Sequence, residues 1–204
     1  MAVDVKICGL TNREDAIAAM SFGADYLGFI LYEGSPRRVA TGQLVDIMRG
    51  DPKIRNAVGV FVNASREEVE HVIIEANLDV VQLHGDEDAD AFKGLAVPTW
   101  RAIKIRGGQC VPALEEWDVD RYVIDADVCG KFGGTGVEVD REEAAMVAAR
   151  CSAMLAGGLT PDNVAEAITR VRPVGVDVSS GVESEPCKKD LDKVEAFIRA
   201  AKKI

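Results

Sequence analysis

Hydrophobic and polar residues alternate along this chain with two periods, and the periods take turns. Val3, Val5 and Ile7 alternate with Asp4, Lys6 and Cys8, the period of a short strand. Thr11-Asn12-Arg13-Glu14 then has the spacing of a capping box opening a helix from Asp15 to Ser21, with Ile17 and Met20 on one face and Gly23 ending it. Asp25 to Leu31 is a near-continuous apolar run, as a strand covered on both faces needs. After a loop containing Glu33-Gly34-Ser35-Pro36-Arg37-Arg38, Thr41 is expected to cap a second helix through Met48. Asn56 to Val62 reads as a strand. Ser65-Arg66-Glu67-Glu68 is a further capping box, with Val69, Val72 and Ile73 on the apolar stripe behind it.

The alternation continues. Leu78 to Leu83 predicts a strand, and Gly85-Asp86-Glu87-Asp88 the opening of a short helix. Val97 to Ile105 is a strand, followed by a segment from Cys110 to Trp117 with only a weak helical pattern. Arg121 to Asp125 is a strand, leading into a long loop with Gly130, Gly133, Gly134 and Gly136 before a helix capped by Asp140. Ser152 to Ala156 is a strand, Gly157-Gly158 a turn, and Thr160-Pro161 an N-cap with proline at the first helical position. Val164, Ala167, Ile168 and Val171 line that helix. Val174 to Val178 is the last strand, Ser179-Ser180-Gly181 a turn, and Leu191, Val194, Ile198 and Ala201 mark a terminal helix.

About eight strand–helix units follow one another, and strict alternation of this kind implies a parallel sheet. Eight units close naturally into a (β/α)8 TIM barrel, for which 204 residues is the small end of the range. The α/β chain is therefore expected to form one domain over residues 1–204. An open doubly wound sheet is the competing architecture, but no G-x-G-x-x-G follows the first strand and no G-x-x-x-x-G-K-[ST] occurs anywhere.

Composition narrows the functional classes. With 48% hydrophobic and 28% charged residues, the chain reads as an ordinary soluble protein. It has neither a membrane-length apolar run nor a signal-peptide pattern. The five cysteines (Cys8, Cys110, Cys129, Cys151, Cys187) are odd in number and never spaced C-x-x-C, which points to reduced thiols in a cytoplasm. The histidines, His71 and His84, form no metal-ligand cluster with them. A net charge of −10 speaks against nonspecific nucleic-acid binding, although a local anion site remains compatible with it.

In a barrel, every loop that follows a strand lies at one mouth, where active sites are built. That mouth collects Cys8, Arg37, His84, Asp125, Asp127, Gly157-Gly158 and Ser179-Ser180-Gly181. The turns after the last two strands offer N–H groups beside small residues and helix starts, a site suited to phosphate. Asp125 ends an apolar strand before a glycine-rich loop, where a helix-capping role weakens and an acid role gains; Asp127 has the same parity. Lys6 shares the parity of Cys8 and calls for a buried carboxylate, Asp4 or Asp177, with a possible second effect of keeping Cys8 ionised. Gln82 and His84 share one face of their strand, so His84 either meets a ligand or braces its loop.

Read in order, these stretches resemble one family. Lys6-Ile7-Cys8-Gly9-Leu10-Thr11, Gly28-Phe29-Ile30-Leu31-Tyr32 with Ser35-Pro36-Arg37, Gly59-Val60-Phe61-Val62-Asn63 and Val81-Gln82-Leu83-His84-Gly85 lead the series. Asp125 with Gly133-Gly134-Thr135-Gly136, Ala156-Gly157-Gly158-Leu159-Thr160-Pro161-Asp162-Asn163-Val164 and Val176-Asp177-Val178-Ser179-Ser180-Gly181-Val182-Glu183 complete it. Together they resemble the phosphoribosylanthranilate isomerases of tryptophan biosynthesis, from the first strand to the terminal helix. Ala156 departs from the family, which often has serine there.

The resemblance implies a single-domain barrel that performs an Amadori rearrangement without cofactor or metal. It implies Cys8 as general base and Asp125 as general acid. Arg37 corresponds to the arginine near the anthranilate carboxylate, with Gln82, His84 and Asp177 also at the substrate. The phosphate falls on Gly157, Gly158, Ser180 and Gly181. The expected partner is a small phosphosugar, with no nucleic acid or membrane, and the protein a monomer or homodimer in the cytoplasm. Two other readings stay in view. A different phosphosugar barrel enzyme would use the same turns, but the metal-binding histidines of an epimerase and the lysine–glutamate set of an indole-glycerol-phosphate synthase are not evident. A barrel that only binds an anionic metabolite or a protein partner would not need both acid and base.

Overall fold

In the computed structural model, which describes residues 3–50, 52–126 and 139–204, eight parallel strands close on themselves. They are β1 (Asp4–Cys8), β2 (Tyr26–Ile30), β3 (Ala57–Phe61), β4 (Val80–Leu83), β5 (Thr99–Arg106), β6 (Arg121–Ile124), β7 (Ala153–Leu155) and β8 (Gly175–Val178). Each pairs with its neighbours in chain order, and β8 returns to β1 with Lys6 opposite Asp177. The expected (β/α)8 TIM barrel is the fold of this chain.

Helices pack outside: α1 (Arg13–Phe22), α2 (Thr41–Met48), α3 (Arg66–Ala76), α4 (Arg141–Ala148), α5 (Val164–Val171) and α6 (Leu191–Lys202). Six α-helices are therefore found among the described residues where the alternation suggested about eight. The expected short helix at Gly85–Asp88 is missing. Both carboxylate oxygens of Glu87 accept from Gly85 N–H, and Arg101 holds that carboxylate at 2.6 Å, so these residues close a loop; only a 3-10 turn, Asp90–Phe92, follows. After β5 the chain folds back as an antiparallel strand, Gln109–Val111, and a 3-10 turn, Leu114–Glu116. None of the described helices is long and apolar enough to cross a membrane.

Two of the expected caps form as read. Ser65 and Glu68 make a complete capping box, and Asp140 Oδ1 accepts from the N–H groups of Glu142 and Glu143. Three others shift by one to three residues. Asn12, not Thr11, caps α1 by accepting from Asp15 N–H, while Thr11 Oγ1 donates to Cys187 O across the barrel mouth. Thr41 is the first residue of α2, whose cap Ala40 offers no side-chain acceptor. α5 begins at Val164, because Asn163 Oδ1 turns back to take Thr160 N–H and the chain from Thr160 to Asn163 is a turn.

Alternate strand residues face outward against the helices or inward into the barrel. The inward set fills the lower barrel with Val58, Val80, Trp100, Ala102, Val123 and Met154. At the floor, Arg121 pairs with Asp4 at 2.6 Å and lies 5.3 Å from the centroids of both Tyr26 and Trp100. Those rings meet edge to face, 4.8 Å apart. This layer closes the end opposite the strand C-termini, so Asp4, one of two carboxylates considered for Lys6, is committed elsewhere.

Candidate active site

Chemistry-bearing side chains come from the inward positions of β1, β4, β6 and β8, at or just past their C-terminal ends. Cys8 ends β1, with Lys6 below it on the same face. Opposite them Gly28 leaves the space they occupy: a Cβ there would stand 2.8 Å from Cys8 Sγ and 2.9 Å from Lys6 Cε. Lys6 is fully buried and donates to Asp177 Oδ2 at 2.7 Å and to Gln82 Oε1 at 3.0 Å. A buried ammonium needs such partners to avoid a large desolvation cost.

The Cys8 thiol is buried, and burial pushes its pKa up. Lys6 and Lys189 pull it down, Asp177 pushes it up, and the net direction is upward. The expectation that Lys6 keeps Cys8 ionised is thereby corrected for the free protein. Lys6 is the largest of the influences that oppose burial, but with Asp177 beside it the ammonium does not outweigh the lost hydration.

Asp125 follows β6 at the same mouth. Its Oδ1 accepts from Ala126 N–H at 2.9 Å and its Oδ2 faces His84 Nε2 at 3.1 Å. Burial raises its pKa, but the hydrogen bonds from His84 and Ala126 and the nearby Lys104 lower it further, so the net direction is downward. His84 Nδ1 in turn lies 3.1 Å from Gln82 Nε2. His84 thus braces an acidic residue, not merely its loop. Asp127 and the glycine loop through Gly136 lie outside the described residues.

Arg37 is held by a clamp that the periodicity did not reveal. Its Nε and Nη2 donate to the two carboxylate oxygens of Glu183, both at 2.7 Å. Lys189, also buried, donates to Glu183 at 3.1 Å and to Ser179 O at 3.0 Å. Glu183 and Lys189 face each other in a small hairpin after β8, where Glu183–Glu185 pairs with Lys188–Lys189. Cys187, at that hairpin's turn, donates its S–H to Pro36 O and fixes the hairpin over the Arg37 loop. Arg38, the other basic residue of that loop, is an exposed partner of Glu33 at 3.1 Å. Lys104 shares the parity of Trp100 and Ala102 on β5, which aims it inward as well.

The two small-residue turns touch backbone to backbone. Gly157 and Gly158 have φ of 78° and 64°, left-handed values that favour glycine. A Cβ on Gly181 would stand 1.9 Å from Leu159 O, so no side chain fits between the turns. Ser180 opens a 3-10 turn, Ser180–Val182, whose first N–H groups have no partner within the turn. Gly181→Ala is expected to force the turns apart, destabilising the protein by about 1–3 kcal/mol, and inorganic phosphate is expected to raise the melting temperature of the unchanged chain but not of the variant. A variant that melts at the same temperature, with phosphate still protective, would contradict this. Two buried polar atoms beside these turns, Asp177 Oδ1 and Ser179 Oγ, have no hydrogen-bond partner among the described residues. Buried polar atoms rarely stay unpaired, so both suit a polar ligand. Among the described residues, no group of three or more His, Cys, Asp or Glu could hold a metal ion.

The arrangement brings a thiol, a carboxyl, an arginine and a closely packed pair of small-residue turns to one mouth. Comparisons with known proteins agree on where such a mouth occurs. The family model described as N-(5'phosphoribosyl)anthranilate (PRA) isomerase matches residues 5–200. The N-(5'-phosphoribosyl)anthranilate isomerase of Trichlorobacter lovleyi is 44% identical over 201 residues, covering 98% of each chain. That of Citrifermentans bemidjiense is 43% identical over 201 residues, covering 98% of this chain and 97% of its own. The crystal structure of phosphoribosyl anthranilate isomerase from Thermotoga maritima matches with a TM-score of 0.86 at 34% identity, covering 99% of this chain and all of that one (100%). A structure of such an isomerase in complex with reduced 1-(o-carboxyphenylamino)-1-deoxyribulose 5-phosphate matches with a TM-score of 0.84 at 34% identity, covering 99% of this chain and 100% of that one. Since the likeness runs from β1 into α6 and the same elements build the mouth, the chain belongs to the N-(5'-phosphoribosyl)anthranilate isomerase family.

Proposed function

We infer that this chain, as one domain over residues 1–204, converts N-(5'-phosphoribosyl)anthranilate into 1-(2-carboxyphenylamino)-1-deoxyribulose 5-phosphate in tryptophan biosynthesis, with Cys8 as base and Asp125 as acid. The observation that carries this assignment of roles is the pairing of those two buried groups at one mouth, flanked by Arg37 and the glycine turns. Opening the ring requires a proton on the ring oxygen as the C1–O bond breaks and the anthranilate nitrogen forms an iminium. Asp125 supplies that proton. Cys8 thiolate then removes the proton from carbon 2 and leaves an enolamine, which becomes the ketone by losing its hydroxyl proton and gaining one at carbon 1. An acid and a base on either side of the sugar suffice for both steps.

Both ends of the substrate are anions, and each has a place. The phosphate lies on the N–H groups of Gly157, Gly158, Ser180 and Gly181, where a turn or helix start favours negative charge. Asp177 Oδ1 and Ser179 Oγ complete their hydrogen bonding with sugar hydroxyls. The anthranilate carboxylate meets the remaining edge of Arg37, whose other edge Glu183 holds in a fixed plane. Binding energy from these remote groups orients the reacting bonds. Arg37→Lys keeps the charge but loses the fork, so it is expected to raise KM by about tenfold; unchanged steady-state constants would reduce Arg37 to a brace for the hairpin.

The reaction partner is the small phosphosugar, the assembly a monomer or homodimer, and the compartment the cytoplasm. Fluorescence of phosphoribosylanthranilate, followed as purified protein consumes it, tests the activity. A stable signal in the presence of folded protein would overturn the reading.

A further inference from the structure

We propose that His84 is a positioning residue for Asp125, and that Lys6, acting through Gln82, fixes the imidazole with its proton on Nε2. This inference rests on Asp125 being the general acid.

Donors and acceptors alternate in one series across four strands. Asp177, Lys6, Gln82, His84 and Asp125 form an unbroken series of contacts, each between 2.7 and 3.1 Å. An ammonium has only donors, so the Gln82 atom facing Lys6 at 3.0 Å is the carbonyl oxygen. The amide therefore turns its NH2 toward His84 Nδ1, which has to accept. A neutral imidazole then carries its proton on Nε2 and donates it to Asp125 Oδ2. Asp177 completes the logic at the other end, because its carboxylate at 2.7 Å holds Lys6 as the charged donor that starts the series.

The tautomer matters to the reaction. With Nε2 bare, the nearest acceptor for the Asp125 proton would be His84 itself, 3.1 Å away, and the proton would be directed there instead of to the sugar. With Nε2 protonated, His84 cannot take it. Together with Ala126 N–H on Oδ1, the ring fixes the plane of the carboxyl and leaves other lone pairs to carry the proton toward substrate.

Nitrogen-15 NMR of imidazole-labelled, ligand-free protein at neutral pH reads the tautomer without reference to turnover. His71, exposed on α3, is the chain's other histidine, and loss of the His84 signals in His84→Gln completes the assignment. The expected result is a bare Nδ1 and a protonated Nε2 at His84. Gln82→Glu puts a carboxylate where the amide donates, so the proton is expected to move to Nδ1 and kcat to fall about 10²-fold with a much smaller change in KM. The amide nitrogen of glutamine stands near the place of Nε2, and that of asparagine near Nδ1. His84→Gln is therefore expected to keep more kcat than His84→Asn. A protonated Nδ1 in the unchanged protein, an unmoved proton in Gln82→Glu, or equal kcat in the two His84 variants would each overturn the proposal. If the unchanged protein failed to consume phosphoribosylanthranilate, the function would fall instead, and the NMR result would still report on the relay.

Discussion

Alanine in place of Cys8 is expected to lower kcat by about 10²–10⁴-fold while the barrel still folds. The change removes a sulfur that packs against the Gly28 space at the mouth, far from the floor layer, so the loss should appear in turnover and hardly in thermal unfolding. Cys8→Ser should do little better, because a hydroxyl is a much weaker acid than a thiol and does not supply an anion. In ligand-free protein the thiol is buried and its pKa raised, so alkylation by iodoacetamide should be slow near neutral pH and climb roughly tenfold per pH unit, following the thiolate. Mass spectrometry locates the label, and activity should fall in step with it. An alanine variant that turns over as fast as the unchanged chain would return Cys8 to the role of a small buried hydrophobe.

Asp125→Asn is expected to cost kcat about 10²-fold or more, with substrate still bound. Asparagine offers one oxygen where Asp125 uses two, against Ala126 and His84, so it loses a hydrogen bond as well as the transferable proton. Steady-state kinetics separate the effects: kcat should collapse while KM moves little. Asp127→Asn is the control, and a severe loss there with a mild one at Asp125 would identify the other carboxylate as the acid.

The two groups together set the pH dependence. In free protein the Asp125 pKa is lowered and the Cys8 pKa raised, so over the wide range between them the pair holds one proton, on sulfur. The reactive arrangement has the same proton on the carboxyl. Its share of the population is therefore constant across that range. Below the Asp125 pKa both groups are protonated and the base is lost; above the Cys8 pKa both are ionised and the acid is lost. A plot of kcat/KM against pH should show a broad plateau that extends past neutral on both sides, and a narrow peak would contradict the assignment.

Strand parity made much of this legible. Lys6 with Cys8, and Gln82 with His84, were placed on common faces by period alone, and the need of a buried lysine for a carboxylate pointed to Asp177 as one of two partners. Capping boxes were legible where side chain and spacing were both unambiguous, as at Ser65 and Glu68. The capping box read at Thr11 and the N-cap read at Thr160 misled, because Asn12 and Asn163 accept the N–H groups there. Glu183 and Lys189 were hidden for a different reason. In sequence the run from Glu183 to Lys189 is a charged, solvated-looking stretch, and only the fold turns it back over β8 and buries two of its charges against Arg37. The missing helix after β4 has the same origin: Glu87 looks like a first-turn acid, but a tertiary partner, Arg101, claims it.

The floor of Asp4, Arg121, Tyr26 and Trp100 joins β1 and β2 to β5 and β6, strands more than seventy residues apart in the chain. Assembling it demands closure of long loops, so it forms cooperatively with the rest of the barrel. Once formed, it is remote from the hairpin at the mouth, whose outer residues Ser184, Glu185 and Lys188 are exposed. Backbone amides near the floor should therefore exchange with solvent only by global unfolding, whereas those of the Glu183–Lys189 hairpin can exchange by local opening. Local opening of that hairpin would let substrate and product pass at the mouth while the opposite end of the barrel stays shut.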